Sequence, residues 1–290
     1  MKLATFQFEG TDRVGVVENG HIVDVSKAIP SVLAVIQRGD EGVRRVREAM
    51  SRAPRVALDR VRLRAPIPRP PKNILCLGLN YRWHVEEGAR AGAAVSVPDS
   101  PLWFTKMATS VCGPYDDIAL DTALSSEYDW EVELAVIIGR TGRRIRRDDA
   151  LNYVHSYSVF NDLSMRDMQR RHGGQWFKSK SLDRSAPFGP WLVTADEIGD
   201  PGTLRLTCRV DGVLKQDDTA SALIFDIATC IADISEVMTL EPGDVISTGT
   251  PGGVGFARTP PEFLRPGQTM ESEIDRIGVL RNRIVHEART

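Results

Sequence analysis

Residues 129 to 139 read Asp-Trp-Glu-Val-Glu-Leu-Ala-Val-Ile-Ile-Gly, and this stretch constrains the fold of the chain most. Its first half alternates acid with apolar residue, and its second half is a continuous apolar run closed by glycine. A period of two is the spacing of a strand. Glu131 and Glu133 therefore share one face, while Trp130, Val132 and Leu134 point the other way. At a rise of about 3.3 Å per residue, the two carboxylates stand roughly 6–7 Å apart. An acid carried into a buried apolar run costs free energy unless it finds a partner. Either a divalent cation is that partner, or the strand end is exposed and the acids face water.

The chain has 290 residues, 42% of them hydrophobic, enough for one large core and a small satellite domain. With a net charge of −2, no global field points to nucleic acid or to an anionic membrane. Arginines cluster between Arg44 and Arg64 and again from Arg140 to Arg147, but no recognition motif accompanies either cluster. The four cysteines are scattered, without a Cys-x-x-Cys pair or a histidine at zinc spacing. The first residues carry no signal-peptide apolar stretch, and no run approaches membrane-spanning length. The expectation is a cytoplasmic protein with free thiols, binding neither nucleic acid nor membrane.

Residues 3–25 alternate as a hairpin does, with Asn19-Gly20 as a turn signal before Ile22, Val23 and Val25. Short helices are expected at 31–38, with Ser31 as cap, and at 41–51. Pro66 to Lys72 is too proline-rich for helix or central strand. It divides a small domain, 1–70, from a larger one, 71–290. Beyond it, the apolar strand Ile74–Leu79 delivers a polar segment containing His84 and Glu87. At helical spacing these two lie on one side and can pair, as a structural or a catalytic couple.

A second apolar strand, Ser156–Phe160, ends in Asn161-Asp162. Ser164-x-x-Asp167 then resembles a capping box opening a short helix that Gly173-Gly174 closes, with Arg166 and Gln169 on one face. Asp162 either caps that helix or belongs to a site. Ile224 to Met238 has the period of a core-facing helix, stopped by Pro242-Gly243. The strand Asp244–Ser247 runs into a glycine loop, Thr248 to Gly255, that is neither a P-loop nor a dinucleotide fingerprint. Its glycines either let backbone approach a ligand or make a tight turn.

Taken in order, these blocks resemble the fumarylacetoacetate hydrolase family. The matching pieces are Cys76-Leu77-Gly78-Leu79-Asn80-Tyr81 with His84, Pro101 to Lys106, and Asp129 to Leu134. Asn161-Asp162 with Arg166, Asp167 and Gln169 follows, then Gly174-Gln175-Trp176 with Lys180 and Asp183, and Pro187-x-Gly189-Pro190. Thr248-Gly249-Thr250-Pro251-x-Gly253-Val254-Gly255 and Gly278-x-Leu280-Arg281-Asn282 complete the set.

The resemblance implies an α+β fold, with a mixed β-sandwich or β-roll catalytic domain behind a small N-terminal α+β domain, in a homodimer. It makes Glu131, Glu133 and Asp162 the metal carboxylates. Three hard oxygen donors without His or Cys suit Mg²⁺ or Mn²⁺, with Ca²⁺ as a stand-in in a crystal. It gives Arg166, Gln169, Lys180 and Thr250 to the substrate's carboxylate and keto groups. His84 and Glu87 become a mobile catalytic pair. Two departures bear on the substrate. Leu79 stands where some members carry a basic residue, and Asp183 is followed by Arg184-Ser185-Ala186 where many relatives read Asp-Thr after the lysine.

The activity first expected is metal-dependent hydrolysis of a C–C bond in a 2,4-dioxo acid of the acylpyruvate type, in the catabolism of aromatic or sugar-derived acids. His84 activates water, and Lys180 faces the developing oxyanion. The alternative is a decarboxylase or keto–enol isomerase of an oxaloacetate-like or hydroxymuconate-derived acid, which needs no attacking water. A catalytically silent binder of 2-oxo acids is the third reading.

Overall fold

The computed structural model describes residues 1–171 and 173–288. It opens with a three-stranded meander, β1 (Lys2–Phe8), β2 (Thr11–Glu18) and β3 (His21–Asp24). Both turns place two residues at positive φ: Asn19 and Gly20 at 50° and 74°, Glu9 and Gly10 at 50° and 77°. The Asn-Gly turn is the one the sequence announces. Glutamate does not favour the left-handed region, so the first turn is silent there, and a hairpin was expected where a meander stands. Helices α1 (Val32–Gln37) and α2 (Gly39–Met50) follow, with the Ser31 hydroxyl accepting from the Ala34 amide at 3.0 Å. Two short strands, β4 (Arg55–Ala57) and β5 (Arg62–Leu63), lead into the proline-rich segment.

Past that segment come β6 (Ile74–Gly78), α3 (Arg82–Arg90), β7 (Leu102–Lys106), β8 (Val111–Cys112) and β9 (Ile118–Leu120). Then follow β10 (Tyr128–Asp129), β11 (Val132–Ile138), β12 (Val154–Asn161), β13 (Ser164–Met165), α4 (Arg166–Arg171) and β14 (Ala186–Thr194). The chain closes with α5 (Ala195–Ile198), β15 (Arg205–Val210), β16 (Val213–Thr219), α6 (Ile227–Val237), β17 (Val245–Ser247), β18 (Thr269–Ile274) and β19 (Gly278–His286).

One long sheet has the order β4-β3-β2-β1-β14-β12-β11-β17-β6-β7, and a second has the order β16-β15-β18-β19-β9. Most neighbours are antiparallel, while β17 and β6 run parallel, so the sheets are mixed and the fold is α+β. The meander belongs to the long sheet, because β1 pairs with β14, Lys2 opposite Val193 and Leu3 opposite Leu192. Residue 70 therefore interrupts no sheet.

Strand β11 shows why its run is apolar throughout. Val132, Leu134 and Val136 face a core shared with Leu206, Met270, Leu280 and the α6 residues Ile231 and Ile234. Ala135 and Ile137 face the other core, with Leu3, Val32, Val35 and Ile36. A strand buried on both faces has no place for alternation. Glu131 and Glu133 continue the Ala135–Ile137 side beyond the cover of α1, where α3 and the 174–180 segment replace it.

The capping box expected at Ser164 does not form. Ser164 and Met165 pair with Asp129 and Tyr128 as a short strand, and the Ser164 hydroxyl donates to the Asp162 carbonyl at 3.0 Å. Asp167 instead accepts from the Ser125 hydroxyl at 2.6 Å. No helix among the described residues is long and apolar enough to cross a membrane. All four cysteines are buried free thiols.

Candidate active site

The register of the sheet assembles the acids. Val132 of β11 sits opposite Asn161 of β12, and the Asp162 amide donates to the Glu131 carbonyl at 2.9 Å. Asp162 thereby joins Glu131 and Glu133, all buried, with one oxygen of each carboxylate within 4.8 Å of the others. Extended-strand spacing alone predicts a wider gap. The side chains converge on one point.

Cations answer this charge. The Lys180 ammonium donates to Glu131 Oε2 at 2.5 Å and to Asp162 Oδ2 at 2.7 Å. The Arg166 guanidinium donates from Nη2 to Glu131 Oε1 at 2.5 Å and from Nε to Asp129 Oδ2 at 2.8 Å. Lys106, fully buried, donates to the carbonyls of Leu163 and Lys180 and stands 2.9 Å from Asp162 Oδ1. Burial alone would raise the Glu131 pKa, but Lys180 and Arg166 hold it well below the usual carboxylate range. Among the described residues, no cation pairs directly with Glu133. Burial first, then the charges of Asp162 and Glu131, push its carboxyl well above the usual range, although it accepts from the Ser247 hydroxyl at 2.5 Å and the Gly249 amide at 2.9 Å.

Among the described residues, Asp129, Glu131, Glu133 and Asp162, when all are ionised as metal binding requires, face Lys106, Arg166 and Lys180, one positive charge short. Among the described residues, Asp162 Oδ1 also makes no hydrogen bond, although Lys106 Nζ lies 2.9 Å away. A donor set of carboxylate oxygens, a missing positive charge and an orphaned oxygen together fit a hard divalent cation. The triad could hold one.

Across the cavity, α3 presents His84 and Glu87 from consecutive turns. His84 Nδ1 lies 3.1 Å from Glu87 Oε1, and the ring meets Phe256 edge to face. The glycine loop fixes Glu87: the Gly253 amide donates to Oε2 at 2.7 Å and the Val254 amide to Oε1 at 3.3 Å. Among the described residues, His84 Nε2 has no protein partner. The helix is delivered by buried Asn80, whose Nδ2 donates to the Thr248 carbonyl at 2.8 Å. Gly249 makes this possible, since at its φ of 98° an added Cβ would come within 2.8 Å of Asn80 Cβ.

His84, Glu131, Glu133, Arg166, Gln169, Lys180 and Thr250 line one cavity of about 420 Å³. Asp162 and Glu87 stand behind it, reaching it through Lys180 and His84 respectively. Arg166 also donates to Gln169 Oε1 at 3.2 Å, and the Thr250 hydroxyl donates to the Val132 carbonyl at 3.0 Å.

Three supports escaped the sequence reading. Asp129 orients Arg166 and accepts from the Gly255 amide at 2.7 Å; burial pushes its carboxyl up although Arg166 opposes this. Its odd-numbered register with Glu131 and Glu133 was the available signal. Gln216 donates to the Thr250 hydroxyl at 2.7 Å and accepts from the Val132 amide at 3.0 Å, and no motif marks it. Lys106 closes a matching block, but nothing in that block says that a lysine would be buried.

A profile of the fumarylacetoacetate (FAA) hydrolase C-terminal domain matches residues 73–285. The chain belongs to the fumarylacetoacetate hydrolase family. It is 40% identical to the oxaloacetate tautomerase YisK of Bacillus subtilis, over 98% of this chain and 100% of that one. Among solved structures of the family, a fumarylacetoacetate hydrolase from the psychrophile Exiguobacterium antarcticum superposes with a TM-score of 0.87 at 39% identity, covering 99% of this chain and 100% of the other. The maleylpyruvate hydrolase of Sphingobium sp. SYK-6, solved with manganese(II) ion and pyruvate, gives a TM-score of 0.82 at 31% identity, with the same coverage. The family is one of enzymes, and its members named here include both tautomerase and hydrolases.

Proposed function

We propose that this protein is a divalent-metal-dependent tautomerase that interconverts the keto and enol forms of a short 2-oxo acid of the oxaloacetate type. The end-to-end likeness to an oxaloacetate tautomerase carries this reading, and it favours the isomerase alternative over the hydrolysis that the sequence first suggested. The solved maleylpyruvate hydrolase keeps C–C hydrolysis as the second reading.

A cation held by Glu131, Glu133 and Asp162 would supply Lewis acidity to steady negative charge on the 2-oxo oxygen. The protein's own groups divide the remaining work. Arg166, Gln169 and Thr250 bind the carboxylate end, and Asp129 and Gln216 keep Arg166 and Thr250 in place. Lys180 adds a second positive charge where the oxyanion forms. Glu87, fixed by two amides, takes the Nδ1 proton side of His84. Nε2 is then the nitrogen that removes the C3 proton or returns it. One proton leaves carbon and one reaches oxygen, so no water is consumed.

The test follows decay of the enol absorbance of oxaloacetate with Mg²⁺ or Mn²⁺, beside product analysis of a panel of acylpyruvates. Catalysed decay with unchanged mass is expected. Cleavage of an acylpyruvate, with oxaloacetate enol decaying only at its uncatalysed rate, would hand the assignment to hydrolysis.

A further inference from the structure

The cavity has two unlike ends. Glu131, Glu133, Arg166 and Lys180 line the polar one, while Leu77, Leu79, Phe104 and Trp176 make an apolar wall beside it. That wall is built specifically. A Cβ on Gly78 would meet the Trp176 ring at 2.2 Å, so only glycine lets the indole lie against β6. The indole then meets Phe104 edge to face, with centroids 5.4 Å apart at 76°. Phe104 in turn touches the polar end, where Lys180 Nζ lies 5.2 Å from its ring centroid. Leu79 joins the wall from a left-handed backbone, φ 55°, a conformation bulky residues rarely hold unless their surroundings impose it.

Charge sets the class of substituent that this wall receives. Among the described residues, the cations lining the cavity already have carboxylates. Arg166 is held by Asp129 and Glu131, Lys180 by Glu131 and Asp162, and Arg170 by both Glu127 oxygens at 2.7 and 2.6 Å. Beyond these groups, the wall of Leu77, Leu79, Phe104 and Trp176 offers a substituent apolar and aromatic surface. The volume of about 420 Å³ also lies in the range that encloses ligands larger than a four-carbon acid.

We infer that the site also tautomerises aryl-substituted 2-oxo acids, the arylpyruvates, with the aromatic ring against Trp176, Leu79 and Phe104. This rests on the tautomerase reading and fills the end of the substrate that the reading leaves open. The reactive portion is unchanged: the 2-oxo carboxylate meets the polar end and C3 faces His84. In ketonisation the O–H bond of the enol breaks and a C3–H bond forms, with no co-reactant. The ring gains the edge-to-face contacts and burial that an extended aromatic pair provides.

Metal-loaded protein is tested with the enols of phenylpyruvate and of oxaloacetate, each followed by loss of enol absorbance. The expected kcat/KM for phenylpyruvate lies within about tenfold of that for the diacid, and Leu79→Arg lowers the aryl-to-diacid ratio by about tenfold or more. Binding is measured separately by calorimetry with benzoylformate, an aryl 2-oxo acid without a C3 proton, against pyruvate. Benzoylformate should bind at least about tenfold tighter, and Trp176→Ala should erase the difference. If either variant fails to fold by circular dichroism, the wild-type binding preference decides alone. Oxaloacetate turnover without phenylpyruvate turnover overturns the inference and leaves the tautomerase reading standing. Phenylpyruvate turnover alone sustains the inference and overturns the diacid assignment, and turnover of neither overturns both.

Discussion

At Glu131 two buried cations meet one carboxylate, whereas Glu133, two residues on, has among the described residues only a hydroxyl and an amide. The two glutamates should therefore respond differently to loss of charge. Without metal, Glu131→Gln leaves Lys180 and Arg166 partly unpaired in the interior and should cost roughly 3–5 kcal/mol. Glu133→Gln replaces a carboxyl that burial and its acidic neighbours already push towards the neutral form, and should cost about 1 kcal/mol or less. Both should weaken Mn²⁺ binding strongly by calorimetry. Equal melting temperatures for the two metal-free variants would contradict the charge assignment. His84→Asn should lower tautomerisation kcat by roughly two to four orders of magnitude at unchanged metal affinity, and Glu87→Gln by less. A His84 variant with wild-type kcat would remove histidine from the proton transfer. The acids were legible because their period of two survives in any strand. Lys106 and Gln216 were not, because their roles are set by neighbours remote in sequence, Asp162 and Thr250.

At the scale of elements, the dyad helix is positioned by the glycine loop rather than by its own sequence. Trp83 of α3 lies over Gly252, where an added Cβ would sit 1.6 Å from the indole, and Glu87 takes the next two amides. Gly253 has a φ of 103°, and a Cβ there would stand 2.0 Å from the Lys215 carbonyl. Gly253→Ala should therefore destabilise the protein by about 1–3 kcal/mol and lower kcat by misplacing His84. A variant with wild-type melting temperature and kcat would show that the loop does not hold the helix. The sequence left this loop open between ligand approach and tight turn. The structure shows a third use, the close approach of a helix. Such a contact joins α3 to a loop more than a hundred and fifty positions away, so no local pattern could report it. Helix α6 was legible from its apolar period and ends at Val237, as the stretch to Met238 implies, but it starts at Ile227 with Asp226 as cap rather than at Ile224, and Leu240 pairs with Gly142 before Pro242 is reached.

For the whole molecule, the proline-rich segment reads in sequence as an expected boundary, whereas the pairing of β1 with β14 leaves no local sign. Its consequence is energetic. Leu3, Val32, Val35 and Ile36 share a core with Ala135, Ile137, Phe160 and Phe188, so residues 1–70 cover the face of β11, β12 and β14 that, further along β11, carries Glu131 and Glu133. Each such aliphatic side chain contributes about 1.5–3 kcal/mol when fully buried. Four of them already match the roughly 5–15 kcal/mol net stability of a typical domain. A fragment of residues 71–290 would also expose the edge of β14, a row of unpaired backbone groups beside an apolar patch. The fragment should therefore be insoluble or lack a cooperative melt, and the intact chain should unfold in a single calorimetric transition. A soluble fragment that melts cooperatively and keeps its activity would mean that the N-terminal strands are an appendage, and that the sheet derives its stability from β11, β12 and the second sheet alone.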